Sequence, residues 1–298
     1  MTVASGPPAA SPVALGPLGL REGRARVARH ASRPGLVLAG AFLALVCVAA
    51  AWPGLLATQG PNAINPADAM QNPGAAHLLG TDQLGRDSFA RLVYGARYSL
   101  LLGLASTALA GLAGAAWGLI AALGGKVADE VSMRLADIFM SFPSILLALL
   151  VVAVLGPGPR NVTVAIAVAL APGFARVVRV QALVVKNSEY VTAATALGLR
   201  RRTVIARHIA PNVLSPLAVL VTMNVGASII AGASLSFLGL GVQPPASEWG
   251  AMLAQSRDYL QNDWALAVFP GLAITLTVIS VGVLGRELQA RFEGRTAS

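Results

Sequence analysis

Side chains able to make or break bonds are sparse in this chain and poorly spaced for it. The histidines are His30, His77 and His208, none of them inside a long apolar stretch. Cys47 is alone, which leaves no intrachain disulfide and no thiolate metal site. The lysines, Lys126 and Lys186, precede Val127 and Asn187, so neither completes the Gly-Lys-Ser/Thr of a phosphate-binding loop. No Ser/His/Asp set is spaced for nucleophilic attack, and no His/Cys/Glu cluster is spaced for a metal. What the spacing does offer is docking. Between two apolar stretches lies a polar, basic segment, Lys186 to Asn212, KNSEYVTAATALGLRRRTVIARHIAPN.

That segment reads as two short helices. Ser188 is placed to cap the first, and Tyr190, Val191, Ala194 and Leu197 then share one apolar face. Ala193, Ala194 and Ala196 keep the helix thin enough to enter a groove. Gly198 suits the left-handed position that ends a helix. Arg200, Arg201 and Arg202 lead into a second helix with Val204, Ile205, His208 and Ile209 on one face, which Pro211 is expected to stop. Two readings fit: a grip for a soluble partner, or an amphipathic helix resting on anionic lipid with its arginines on headgroups. The small-residue run and the glycine turn favour the grip.

The elements that must hold this segment are apolar. The 298-residue chain is 55% hydrophobic and 12% charged, with mean hydropathy +0.68; a soluble domain carries about twice that charge. Six stretches have the length and apolarity of membrane spans, near 36–57, 99–123, 136–156, 161–179, 213–235 and 264–284. The fourth is the weakest, holding Pro172-Gly173 and ending in Arg176 and Arg179, which can snorkel to an interface. With the N-terminus inside, outer segments hold only Arg86, Arg91, Arg97, Arg160 and Arg257 of the 22 basic residues. That asymmetry puts both termini and the 186–212 loop on the cytoplasmic side, and it accounts for the net charge of +9 without nucleic acid. Residues 1–20 read as disordered, followed by a basic run from Arg21 to Arg33. Of the outer segments, 58–98 is Asn/Pro-rich at first. The other, 240–263, is broken by Gly239, Gly241, Pro244 and Pro245 near its start, and Ser247 to Leu260 is expected to form a short amphipathic helix at the outer surface.

Asp137 is the one acidic residue inside a proposed span, and Arg134 three residues earlier explains it as an interfacial pair. Ion-driven transporters place titratable groups within their spans, and this chain shows little of that kind. It also lacks its own phosphate-binding loop. It reads as a pathway whose engine is a docked cytoplasmic partner.

At this point the residues resemble a family. Ala193, Ala194, Gly198 and Pro211 stand in the register of the EAA loop of ATP-binding-cassette importer permeases, with Thr192 where that family usually has Glu and Ala210 where Leu is usual. HLLGTDQLGRD (His77 to Asp87), YGARYSL (Tyr94 to Leu100), MRLADIFMSFP (Met133 to Pro143), SLSFLGLGVQPP (Ser234 to Pro245) and EWGAML (Glu248 to Leu253) are similar to the dipeptide/oligopeptide/nickel branch, and within it the second, C-type permease subunit. The resemblance covers roughly residues 36–293.

The resemblance implies an all-α integral membrane protein with six transmembrane helices of the type I importer fold and a cytoplasmic coupling loop. It implies a bacterial plasma-membrane location, and a heterodimer with a second homologous permease. Two cytoplasmic ATPase subunits bind the ATP, so this chain is no enzyme and holds no cofactor or metal, and an extracytoplasmic binding protein delivers the solute. The organisation expected is a disordered basic tail at 1–34, the first span with an extracytoplasmic segment at 35–98, a permease core at 99–286 containing coupling loop 186–212, and a tail at 287–298. ATPase coupling falls to Glu189, Thr192, Ala193, Ala194, Gly198, Arg200, Arg201, Arg202, Arg207 and Pro211. Candidate kinks or gate positions are Pro143, Pro172, Gly173, Gly239 and Gly241. The cargo is expected to be peptide, with nickel or a metal chelate as the alternative. A secondary transporter and a lipid-binding membrane scaffold are the readings from other classes.

Overall fold

A computed structural model describes residues 33–296; the expected N-terminal tail and its basic run lie outside the described residues, apart from the first helical residues. The described chain is helical. Helix α1 (Arg33–Ala51) is followed by an irregular segment with two short 3-10 turns, then α2 (Ser88–Leu123), α3 (Lys126–Met140), α4 (Ser144–Leu155) and α5 (Pro159–Lys186). The polar loop contributes α6 (Glu189–Ala196) and α7 (Arg201–Val204). After a π-helical turn (Ile205–Ile209) come α8 (Ala210–Phe237), α9 (Trp249–Ser256) and α10 (Ala265–Thr296). Among the described residues five helices are long and apolar enough to cross a membrane, and the α3–α4 pair passes the same test jointly as a sixth, broken span.

The span boundaries differ from expectation for identifiable reasons. The first helix stops at Ala51 because Trp52-Pro53 cannot continue it. The second begins at Ser88, well before residue 99, because Asp87 caps it by accepting the Ala90 N–H at 2.7 Å. At 36 residues it is about 54 Å long, well beyond the ~30 Å apolar layer of a bilayer. The expected 136–156 span is two helices meeting at 93° around Ser141–Pro143. The last helix runs on to Thr296, with an Arg291–Glu287 pair at 3.0 Å along its end, so the expected boundary near 284–286 is no helix end.

Helix α2 is the spine, packed along α5 and α8. Small residues permit the approach: a methyl group added at Gly118 would sit 2.5 Å from the Ala175 carbonyl oxygen, and one at Gly114 would sit 2.4 Å from the Phe174 Cβ. Thr107 donates to Ser228 across the α2–α8 contact at 2.7 Å, which satisfies both hydroxyls in the interior. Three apolar clusters follow one another along this bundle. One gathers α1, the start of α2, α8, α9 and α10, another joins α2, α4, α5 and α8, and the third unites α2, α5 and α8 with the polar loop.

Candidate functional site

The polar loop is fixed from within by a small core. Val191 and Ala194 of α6, Val204 of α7 and Ile209 of the π turn are buried, and Val191, Val204 and Ile209 pack with Val178 and Ala182 of α5 and Val213 and Leu217 of α8. Ile205 packs half-buried against the same core, but the rest of the first helix's expected apolar face behaves differently. Tyr190 and Leu197 are exposed, Leu197 at 84%, and Tyr190 lies beside His208 with ring centroids 6.4 Å apart. Glu189, Thr192, Ala193, Arg200, Arg201, Arg202, Arg207 and Pro211 are exposed as well. The loop thus presents apolar side chains and cations together on one free surface.

Its turn is a Schellman motif. Gly198 has φ +80°, its N–H bonds the Thr195 carbonyl at 3.0 Å, and the Leu199 N–H bonds the Ala194 carbonyl at 3.2 Å. Two other local expectations fail. The Ser188 hydroxyl donates back to the Val185 carbonyl at 2.6 Å, so it makes no cap for α6 and instead tightens the link to α5. Pro211 does not stop the second helix, because the chain stays helical from Arg201 to Phe237. A proline has no N–H and crowds the carbonyl one turn back. The wider π turn just before it, closed by the Ala210 N–H on the Ile205 carbonyl, absorbs both defects.

Two cations fasten the loop to the end of α2. Lys186 Nζ donates to the Ala122 carbonyl at 3.3 Å, and the Arg201 guanidinium donates to the Leu123 carbonyl. Helix C-terminal carbonyls lack intrahelical donors and carry partial negative charge, so they attract such groups.

The remaining predicted positions fall elsewhere. Pro143 sits at the bend between α3 and α4. Pro172 and Gly173 lie inside the uninterrupted α5. Gly239, with φ +81°, ends α8 in a second Schellman motif: its N–H bonds Ser236 and the Leu240 N–H bonds Leu235. Gly241 lies against the same turn, where a Cβ would come 1.8 Å from Ser236 Oγ. Asp137 is paired with Arg176 of α5, and Arg134 with Glu130 at 3.8 Å, which corrects the local Arg134–Asp137 pair. Arg179 likewise pairs with Asp129 instead of reaching out alone.

Sequence reasoning missed a buried polar assembly at the α9 end. Arg86 Nε donates to Asp82 Oδ2 at 2.7 Å, Arg91 Nε lies 3.5 Å from the same oxygen, and Arg91 also donates to Gln255 Oε1 at 3.2 Å. Glu248 caps α9 by accepting the Gly250 and Ala251 N–H groups, both at 2.9 Å, and accepts Ser99 Oγ at 3.1 Å. Helix α9 therefore does not lie at the surface; Trp249 is 2% exposed. GTDQLGRD supplies Asp82 and Arg86 and EWGAML supplies Glu248, while Arg91, Ser99 and Gln255 from outside both motifs bridge to α9, a relation that spacing along the chain does not reveal.

Comparison with known proteins agrees with the arrangement. Residues 114–298 match the family model described as binding-protein-dependent transport system inner membrane component. The glutathione transport system permease protein GsiD of Pectobacterium atrosepticum is 41% identical over 263 residues, covering 88% of this chain and 87% of that protein. The dipeptide transport system permease protein DppC of Alkalihalophilus pseudofirmus is 39% identical over 264 residues, covering 89% and 86%. Among solved structures, the MetNI methionine ABC transporter in an inward-facing conformation aligns with a TM-score of 0.55 at 19% identity, covering 67% of this chain and 95% of that one. That likeness speaks to the fold.

Proposed function

The chain belongs to the family of binding-protein-dependent transport system inner membrane components, and on that premise we propose that it forms half of the translocation pathway of an ATP-driven peptide importer. The observation that carries this reading is the 186–212 loop. It is bolted to α2, α5 and α8 through Val191, Val204, Ile209, Lys186 and Arg201, yet it leaves Tyr190, Leu197 and a row of arginines free. A helix anchored on one side and open on the other suits transmission of force from a docked partner. That partner is a pair of cytoplasmic ATPase subunits, which bind the ATP, so hydrolysis is not the work of this chain. The loop residues Glu189 to Pro211 make the contact.

The chain is a multi-pass membrane protein, and among the described residues it has six candidate spans, counting the bent pair as one. In this reading it sits in the bacterial inner membrane with both termini in the cytoplasm. A second, homologous permease supplies the other half of the pathway, and an extracytoplasmic binding protein delivers the solute. ATP closes the ATPases and draws the coupling helices together to open the pathway outward; hydrolysis resets it inward. Peptide is the cargo because the similar permeases are named for dipeptide and glutathione transport. A deletion strain tests this: it loses growth on peptides as sole nitrogen source and keeps normal growth under nickel limitation. The reverse pattern would transfer the assignment to nickel.

A further inference from the structure

Helix α3 is attached to the bundle in an unusual way. Its one buried residue is Ala136, so apolar packing holds little of it. Val127, Val131, Leu135 and Ile138 are all turned outward. Beside Ala136 and the half-buried Ala128, Ser132, Met133 and Phe139, two ion pairs tie α3 to α5, one half-buried and one at the exposed edge of the contact. Asp129 takes two donors from Arg179, Nε and a terminal nitrogen, the latter at 2.5 Å from Oδ2. Asp137 takes one from Arg176. Outside these pairs, Phe139 meets Trp117 of α2 edge-on with centroids 6.2 Å apart. The two carboxylates are eight residues apart on α3, about 12 Å of helix, whereas the arginines are three residues apart on α5. The arginine side chains therefore fan out and grip α3 at two separate points.

The same, C-terminal end of α5, seven residues beyond Arg179, is joined to the polar loop with little slack. Only Asn187 and Ser188 separate α5 from α6, and both are folded back by hydrogen bonds to Leu183 and Val185. Any displacement of α6 must therefore move α5. Beyond α3 the chain turns 93° at Pro143 into α4, whose Leu147, Ala148 and Val152 pack into the bundle next to α5. We propose that Asp129–Arg179 and Asp137–Arg176 are the mechanical link that carries movement of the coupling loop, by way of α5, into the bent α3–α4 segment. Arg176, Arg179, Asp129 and Asp137 are positioning residues, and directional, charge-assisted hydrogen bonds suit that task because they transmit pull as well as push. This inference rests on the ATPase-docking reading of the loop but not on the identity of the cargo.

The test uses the full complex with its partner permease, ATPases and binding protein, in membranes. Cys47 is replaced by serine and Val154, an exposed residue of α4, by cysteine. Labelling of that cysteine by a membrane-impermeant maleimide is compared between nucleotide-free and ATP-trapped complex, alongside ATP hydrolysis. The expected result is a labelling difference in the parent that falls by about fivefold or more in Asp129→Arg and in Arg179→Asp, while hydrolysis continues, and that returns in the double exchange Asp129→Arg/Arg179→Asp. If a reversal prevents assembly, Asp129→Asn takes its place, with a partial loss expected. The link is overturned if the parent shows no labelling difference, if single variants keep it, if it and hydrolysis fall in parallel, or if the exchange fails to restore it. A parent complex that shows the labelling difference but takes up no peptide overturns the cargo assignment alone.

Discussion

The guanidinium of Arg201, at the start of α7, donates to the main-chain carbonyl of Leu123, the last residue of α2. Residues 78 positions apart are thus joined at the point where the spine helix meets the polar loop. Lys186 does the same at Ala122 from the opposite side of the loop. Arg200 and Arg202 flank Arg201 and are exposed, and among the described residues no side-chain hydrogen bond or ion pair ties either of them to another element. The three arginines therefore divide into one structural tie and two free cations.

That division predicts different phenotypes. Arg201→Ala should leave the chain inserted while lowering ATP-dependent uptake by roughly two- to fivefold, since a surface contact to a helix end is worth little by itself but here positions the loop. Arg202→Ala should instead weaken association with the ATPase subunits, read as reduced co-purification in mild detergent. Identical behaviour of the two variants would remove the distinction.

Gly198 sets up a second case. A Cβ there meets no neighbouring atom, so space is not the constraint; the constraint is φ +80°. An L-residue pays about 1–2 kcal/mol to sit in that region, and asparagine pays least. Gly198→Val should abolish uptake with normal membrane insertion, and Gly198→Asn should retain a substantial part. Quantified membrane fractions and vesicle uptake with ATP separate the two effects.

Much of this loop was legible because its signals are local. A glycine eleven residues after Asn187, with small and apolar residues before it, points to a left-handed helix end whatever the tertiary context. The α9 end was not legible for the opposite reason. Hydropathy alone started the second span at residue 99, because Arg91 and Arg97 look too polar for an interior. Arg91 can be buried because Asp82 and Pro61, on the earlier loop, and Gln255, 164 positions later, receive its donors. Asp137 failed in the same way: Arg134 is near in sequence, but the helix turns Asp137 toward Arg176. Pro211 failed because a π turn, which has no clear sequence signature, accommodates it.

The buried assembly around Trp249 supports a stability prediction. The indole Nε1 donates to the Leu92 carbonyl at 2.9 Å, and a Cβ on Gly95 would come 3.1 Å from the indole ring. Trp249→Ala removes a large packed side chain at a cost of about 3–5 kcal/mol. Glu248→Ala removes the acceptor of two helix N–H groups and costs about 1–2 kcal/mol. Thermal unfolding of the complex in detergent should show both losses, with Trp249→Ala the larger. A Trp249→Ala chain as stable as the parent would mean that α9 is not integral to the fold.

Thr192 is where the loop departs from the resemblance that first pointed to its role, and the structure shows what stands there. Its side chain is exposed, and its hydroxyl donates back to the Ser188 carbonyl at 3.1 Å, so it serves its own helix and leaves no charge on the outer face. A carboxylate at this position would stand near the N-terminus of α6, where the helix dipole favours it, but one turn from Glu189, which opposes it. These local terms are each a few tenths of a kcal/mol and nearly cancel, so Thr192→Glu should fold and insert as the parent does. Any change must then come from the docked partner. The expectation is tighter ATPase association and more solute moved per ATP hydrolysed in reconstituted vesicles. An unchanged ratio would mean that the coupling contact is made by the arginines and Leu197, with position 192 a bystander.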